Sequence, residues 1–395
     1  MKTQKQTFDV VVIGSGILGM AHAYHCAMLG LKVAVIEKNQ YPMDASVRNF
    51  GQVVPSGFGR EWQKYGRKSL EIYKEIQEEA DITVRQTGSL YVAHDEEEMT
   101  LLEELAAINQ TNDYESHLLT KQETCEHAPS LNSDYVKGAL FFPQEINVEP
   151  AKLMLRLIHY CMEKLDLTYI SNTLVKNVLR ANGEVVITTA DLRFFAAAKV
   201  FLCNGSDLKM LFPDLFATSD LELVKLQMME LVSQSDAYLP GSILTGQTIR
   251  RYEGFGECPS YAEIKSKEDF NSQFKKYGVH ILFKQTPSGS IIVGDSHEYF
   301  DINDSKKEVY AVKEKINQFI LAEAQKIITI KNWQLKRAWL GYYTQCKEEA
   351  IFSKTIDDHI HIITGIGGKG MTAAFGYAAE NVSKLIGSIK QTQTL

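Results

Sequence analysis

Apolar and polar positions along the chain follow two different periods. Residues 8–13 and 33–36 are nearly unbroken apolar runs, which is how strands buried on both faces read. Residues 60–79 instead set Trp62, Tyr65, Leu70, Tyr73 and Ile76 at helical spacing among charges, as an amphipathic helix does. Further helices are predicted over 96–109, 151–164 and 306–324, and from the last glycines toward Ile386. The acidic run in the first of these is a solvated face. Short strands are predicted over 87–93, 139–142, 167–170, 173–178 and 199–203. From Leu221 to Gly294 the pattern changes to strand-like segments at 221–232, 280–283 and 290–294, with Gly, Pro, Ser and Asp between them. That change predicts a second, largely antiparallel sheet. Residues 41–52 read as a polar loop. No repeat at a fixed period and no low-complexity tract precede the last few residues.

The first apolar run breaks into Gly14-Ser15-Gly16-Ile17-Leu18-Gly19, a helical stretch follows, and the second run ends in Glu37. A strand, a glycine turn, a helix and a parallel strand in this order form a dinucleotide-binding unit. Gly14 permits the tight turn, Gly16 lets backbone approach a pyrophosphate, and Gly19 lets helix and strand pack closely. The helix N-terminus offers N–H groups and positive dipole to the phosphates, and Glu37 can take the two ribose hydroxyls of an adenosine.

At 395 residues the chain has room for two domains with sizeable cores. A net charge of −7 argues against nucleic acid as the main partner but leaves room for a small anion in a locally positive pocket. Cys26, Cys125, Cys161, Cys203, Cys258 and Cys346 show no paired short spacing and no His-rich companion cluster. They read as reduced thiols, with no zinc site and no other metal site implied. Met1 to Thr7 leaves no room for a signal peptide, and no apolar run approaches membrane-spanning length, so a cytoplasmic protein is expected.

A second glycine stretch decides the cofactor. Gly365-Ile366-Gly367-Gly368-Lys369-Gly370-Met371-Thr372 again lies between an apolar strand and a helix, with little chain left to build a second nucleotide unit. The helix therefore aims its N-terminus at something already bound elsewhere. A flavin, whose ring becomes anionic on reduction, is a natural target. In this reading the two glycine turns serve opposite ends of one extended cofactor. A nicotinamide-dependent dehydrogenase built on the N-terminal unit alone is the rival, and a non-catalytic FAD-binding subunit of an amine dehydrogenase complex is another.

These segments together resemble the FAD-dependent D-amino-acid oxidase family, which includes sarcosine and glycine oxidases. The likeness is carried by the two glycine stretches, Glu37, Ser46-Val47-Arg48-Asn49-Phe50-Gly51, Cys203-Asn204-Gly205 and Trp339-Leu340-Gly341-Tyr342-Tyr343-Thr344. The Lys225 to Met229 run and the Arg48 to Gly51 segment are similar to a subgroup linked to aminophosphonate breakdown. The resemblance implies an α/β fold: a Rossmann-like FAD-binding domain of the glutathione-reductase type (1–85, 145–215 and 335–395), with an inserted α+β substrate domain on a mixed, largely antiparallel sheet (86–144 and 216–334). It implies FAD held by Gly14 to Gly19, Glu37, Lys38, Ser46 to Asn49, Gly51, Val175, Cys203 to Gly205, Gly365, and Gly367 to Thr372. The activity implied is oxidation of a small amine, amino acid or aminophosphonate by hydride transfer to the flavin, giving an imine that water hydrolyses. Oxygen or another acceptor would then take the electrons.

The sequence departs from that family in three places. Sarcosine-oxidase-like members tether the flavin through a cysteine just before the Tyr-Thr pair; here Gly341-Tyr342 stands there, and non-covalent FAD is expected. Glycine and D-amino-acid oxidases place an arginine about where Tyr343 stands, to grip the substrate carboxylate. Where sarcosine oxidases carry an oxygen-activating lysine, residues 291–294 are Ile, Ile, Val and Gly, leaving Lys369 or Lys284 as substitutes. Lys369, Arg48 and Tyr343 are accordingly the expected catalytic residues, with Phe50, Gln227, Tyr342 and Trp339 as substrate contacts. Lys225, Arg250 and Arg251 are outer cations, and His280, His297, His359 and His361 read as satisfied structural histidines.

Overall fold

The computed structural model describes residues 6–303 and 307–392, so Met1 to Lys5 of the expected lead-in and the extreme C-terminus lie outside it. Two large sheets organise the chain. In the first, Phe352–Ile356, Ile360–Thr364, Phe194–Leu202, Gln6–Ile13, Val33–Ile36 and Thr168–Ile170 lie side by side, with Glu184–Thr189 and Val175–Ala181 continuing as an antiparallel meander. Gln6–Ile13 is central and parallel to both its neighbours. The apolar run predicted this: Val10, Val11 and Val12 are each 0% exposed because both faces of the strand are covered. On one face lie Ile17–Met28, Pro150–Leu165 and Gly370–Thr392; on the other lie the meander and Pro213–Ala217.

The second sheet has nine strands, antiparallel except where Ser242–Thr245 runs parallel to Ser89–Ala93. Leu221–Leu231 pairs along its length with Leu335–Cys346 and also with Ile291–Gly294 and Glu298–Asp301. Glu314–Ile327 packs behind this sheet on Ile281, Phe283 and Val293.

The helix over 60–79 has the predicted bounds. The stretch 41–52 is not wholly loop, because Ala45–Arg48 closes one helical turn. The helix expected over 306–324 is instead a 3₁₀ turn, Lys307–Tyr310, followed by a helix at Glu314–Ile327; Lys306 lies outside the described residues. No helix among the described residues is long and apolar enough to cross a membrane. All six cysteines are free.

Candidate functional site

The first glycine turn is built by steric exclusion. Gly14 has φ +97°, and a Cβ there would sit 2.3 Å from the Cys203 carbonyl oxygen. A Cβ on Gly19 would sit 2.0 Å from the Gly14 oxygen, so the helix is seated directly on the turn. Ser46, on the one-turn helix Ala45–Arg48, accepts the Ile17 N–H through Oγ at 2.9 Å and so satisfies one of the free donors at the helix start. Glu37 is buried. Its carboxylate accepts from Ser15 N and Ser15 Oγ, both at 2.9 Å, and from Asn39 N at 3.0 Å. Three of about four acceptor positions are thereby used within the protein.

A cavity of about 440 Å³ opens on this turn, a size within the range of small-molecule sites. Of the expected cofactor residues, Gly14, Gly16, Ile17, Leu18, Glu37, Lys38, Ser46, Arg48, Asn49, Gly51, Val175, Cys203, Asn204, Gly205, Gly365, Gly367, Gly368, Lys369, Gly370, Met371 and Thr372 line it, and so do Phe50, Tyr342 and Tyr343. Ser15, Gly19 and Val47 support the wall without lining it. The two glycine turns are neighbours: a Cβ on Gly370 would lie 3.5 Å from Ile17 Cγ2. Both turns line the same cavity.

Two expected substrate contacts lie elsewhere. Leu226 and Met228 face the cavity, so Gln227 between them points to the opposite face of its strand. There its amide donates to Lys313 O at 3.1 Å and Asn317 Oδ1 at 3.0 Å, anchoring the helix behind the sheet. Trp339 donates through Nε1 to the Arg48 carbonyl at 3.0 Å and is also absent from the lining.

The cations of the wall differ in what holds them. Lys38 pairs with Asp207 at 2.8 Å, and Lys369 pairs with half-exposed Glu253 at 2.7 Å while lying over the Trp62 ring. Arg48 donates to Met43 O at 2.7 Å and Leu340 O at 3.1 Å, so part of its guanidinium serves backbone carbonyls. Arg251 also lines the cavity. Lys225 and Arg250 do not; the first pairs with Glu298, the second with Asp95, Glu97 and Glu98.

His280, Asp295 and His297 are on the wall as well, although His280 and His297 read as structural in the sequence. His280 Nε2 lies 2.8 Å from Asp295 Oδ1, and its Nδ1 is 3.0 Å from Thr248 Oγ1. His297 Nδ1 is 3.2 Å from the Gly278 carbonyl. Burial and then the Arg251 charge push His297 down to about 3, so its ring is neutral at ordinary pH. Burial works to raise Asp295, but His297, His280 and Arg251 outweigh it and hold the carboxyl below its usual value. Tyr343 beside them is raised by burial. The three candidate ligand atoms lie within 4.8 Å of one another, and the Arg251 charge also acts on the Asp295 carboxyl.

A family model described as FAD dependent oxidoreductase matches residues 9–384. The chain belongs to the FAD-dependent oxidoreductases of the DAO family. It is 24% identical over 377 residues to a glycerol 3-phosphate dehydrogenase of Caloramator mitchellensis, covering 93% of this chain and 71% of that one. A 30% identical stretch of 151 residues matches the mitochondrial sarcosine dehydrogenase of Mus musculus, but covers only 37% of this chain and 16% of that one. Among solved structures, glycine oxidase from Bacillus cereus ATCC 14579 superposes with a TM-score of 0.75 at 18% identity, covering 96% of this chain and 95% of the other.

The cavity fits the family's cofactor. A Cβ on Gly205, at φ +57°, would meet nothing within 4 Å, so the wall is open there. The neighbouring Asn204 Oδ1 is buried without a hydrogen-bond partner, an acceptor waiting for a donor. With FAD the family's cofactor, the nicotinamide alternative is set aside.

Proposed function

We propose that this FAD-dependent oxidoreductase oxidises the C–N bond of a small amine, amino acid or aminophosphonate carrying an anionic group. The observation that carries this reading is the composition of the cavity described above. Both glycine turns and Glu37 share it with cations and with a buried, aromatic and histidine-lined wall, so cofactor and a small charged substrate can meet there. The fold likeness to glycine oxidase and the local match to sarcosine dehydrogenase support nitrogen as the atom beside the reacting carbon. FAD, when bound, supplies the hydride acceptor. The first glycine turn, Ser46 and Asn204 would hold it. No cysteine stands at Gly341-Tyr342, and Cys346 is absent from the lining, which supports non-covalent attachment. Phe50, Tyr342 and Tyr343 exclude water around the substrate, and neutral His297 leaves the amine free of a competing cation. Loss of a hydride from carbon and of the N–H proton to water leaves an imine, which water hydrolyses to a carbonyl compound and a freed amine. Oxygen or another acceptor would take the electrons in a reducing, cytoplasmic setting.

Mixing the FAD-loaded protein anaerobically with secondary amines, small amino acids and aminophosphonates tests this. Loss of flavin colour with one of these classes is the expected result. Loss of colour with glycerol 3-phosphate and with none of the amines would overturn the C–N assignment.

A further inference from the structure

We propose that Arg251 grips the anionic group of the substrate, a carboxylate or phosphonate, and so does the work of the arginine missing at Tyr343. The inference deepens the reading above by naming the residue that selects the substrate's tail.

Arg251 lines the cavity from the segment after Gly246–Ile249, next to Tyr252 and Glu253, which line it too. Its charge acts on Tyr343, His297, His280, Asp295 and Tyr252, so the guanidinium sits among the groups of the buried wall. Two bonds fix it: Nη1 donates to Gly278 O at 3.2 Å and Nη2 to Tyr299 Oη at 3.1 Å. A guanidinium has five N–H donors, and five less these two leaves three for a ligand.

What separates Arg251 from most cations of the wall is the absence of an acid partner. Lys38 and Lys369 each close an ion pair, so an anion binding there gives back part of its gain in displacing Asp207 or Glu253. No carboxylate among the described residues lies within ion-pair distance of Arg251. Asp295 stands near enough to feel its charge, with its Oδ1 2.8 Å from His280 Nε2, but forms no ion pair with Arg251. His297, neutral and donating toward Gly278, adds no competing charge. A planar donor set anchored by two neutral acceptors at a half-buried position on the wall suits the two parallel hydrogen bonds of a carboxylate or phosphonate.

The test uses the full chain loaded with FAD, and anions that cannot be oxidised. Calorimetric titration with acetate and with methylphosphonate is compared for the native protein, Arg251→Met and Arg251→Lys, each checked for FAD content. At least one of the two anions should bind the native protein. Its Kd should rise on the order of thirtyfold or more in Arg251→Met and less in Arg251→Lys, which keeps charge but loses the paired donors. If Arg251→Met does not fold, Tyr299→Phe, which removes one anchor, should weaken the same binding several-fold. Unchanged affinity in these variants, or no binding of either anion by the native protein, overturns the proposal. Neither anion reacts, so this outcome is separate from the outcome of the amine panel.

Discussion

Lys369 shows how a single side chain is held ready for a ligand. Its partner Glu253 is half-exposed, and an ion pair of that kind is worth about 0–1 kcal/mol, so a substrate anion can replace it. Lys369→Met should therefore leave FAD bound and raise KM for an anionic substrate roughly tenfold or more. Glu253→Gln should move the same constant the other way, by up to about fivefold. Equal kinetics in both variants would return Lys369 to a structural role over the Trp62 ring. Residue-scale reading of the sequence had a clear limit at Gln227. Chemistry alone makes a glutamine between Leu226 and Met228 a reasonable ligand, but strand alternation turns it to the other face, where it holds Lys313 and Asn317.

Among the elements, strand, turn, helix and strand from Gln6 to Ile36 were the most legible, because the glycines and the apolar runs impose one geometry. Gly16 lines the cavity at the start of this unit's helix, and a Cβ there already lies 3.2 Å from Ser46 Oγ. Gly16→Val should abolish FAD retention while the apoprotein stays folded, as judged by far-UV circular dichroism and flavin content after gel filtration. Normal occupancy would contradict the assigned register. The histidine wall was less legible. Leu282–Gln285 and Ile291–Gly294 form an antiparallel hairpin whose register, if extended, would set His280 opposite Ser296; a one-residue shift beyond Gly294 instead places it opposite Asp295, where the two exchange backbone hydrogen bonds. Three polar residues just beyond the strand ends look like loop until that pairing is drawn. The pairing of Leu335–Cys346 with Leu221–Leu231 was hidden for a related reason: an apolar pattern marks a strand but does not name its sheet.

For the whole molecule, the buried histidines make stability depend on pH. Burial pushes His22, His25 and His361 down to about 4 and His297 to about 3, from 6.5 in the unfolded chain. Between about pH 6.5 and pH 4 the unfolded chain therefore binds more protons at these sites, and stability is lost as the pH falls. Glu145 works in the opposite sense. Burial raises it to about 7, so its contribution is present at low pH and lost as the pH rises toward 7. Four histidines outweigh one glutamate, and the thermal midpoint should fall on going from about pH 7 to about pH 5. His22→Gln should shrink that fall, since His22 is wholly buried against Phe201 and the Leu18 carbonyl. A drop of unchanged size would show that His22 does not contribute.

Whole-molecule chemistry comes down to which bond the FAD-loaded protein breaks. The most direct measurement is a single anaerobic turnover with an amine that bleaches the flavin, followed by assay of the carbonyl product. About one equivalent of carbonyl compound and one of freed amine per flavin reduced is the result predicted for C–N oxidation. Bleaching by glycerol 3-phosphate alone, with no amine consumed by any member of the panel, would contradict it.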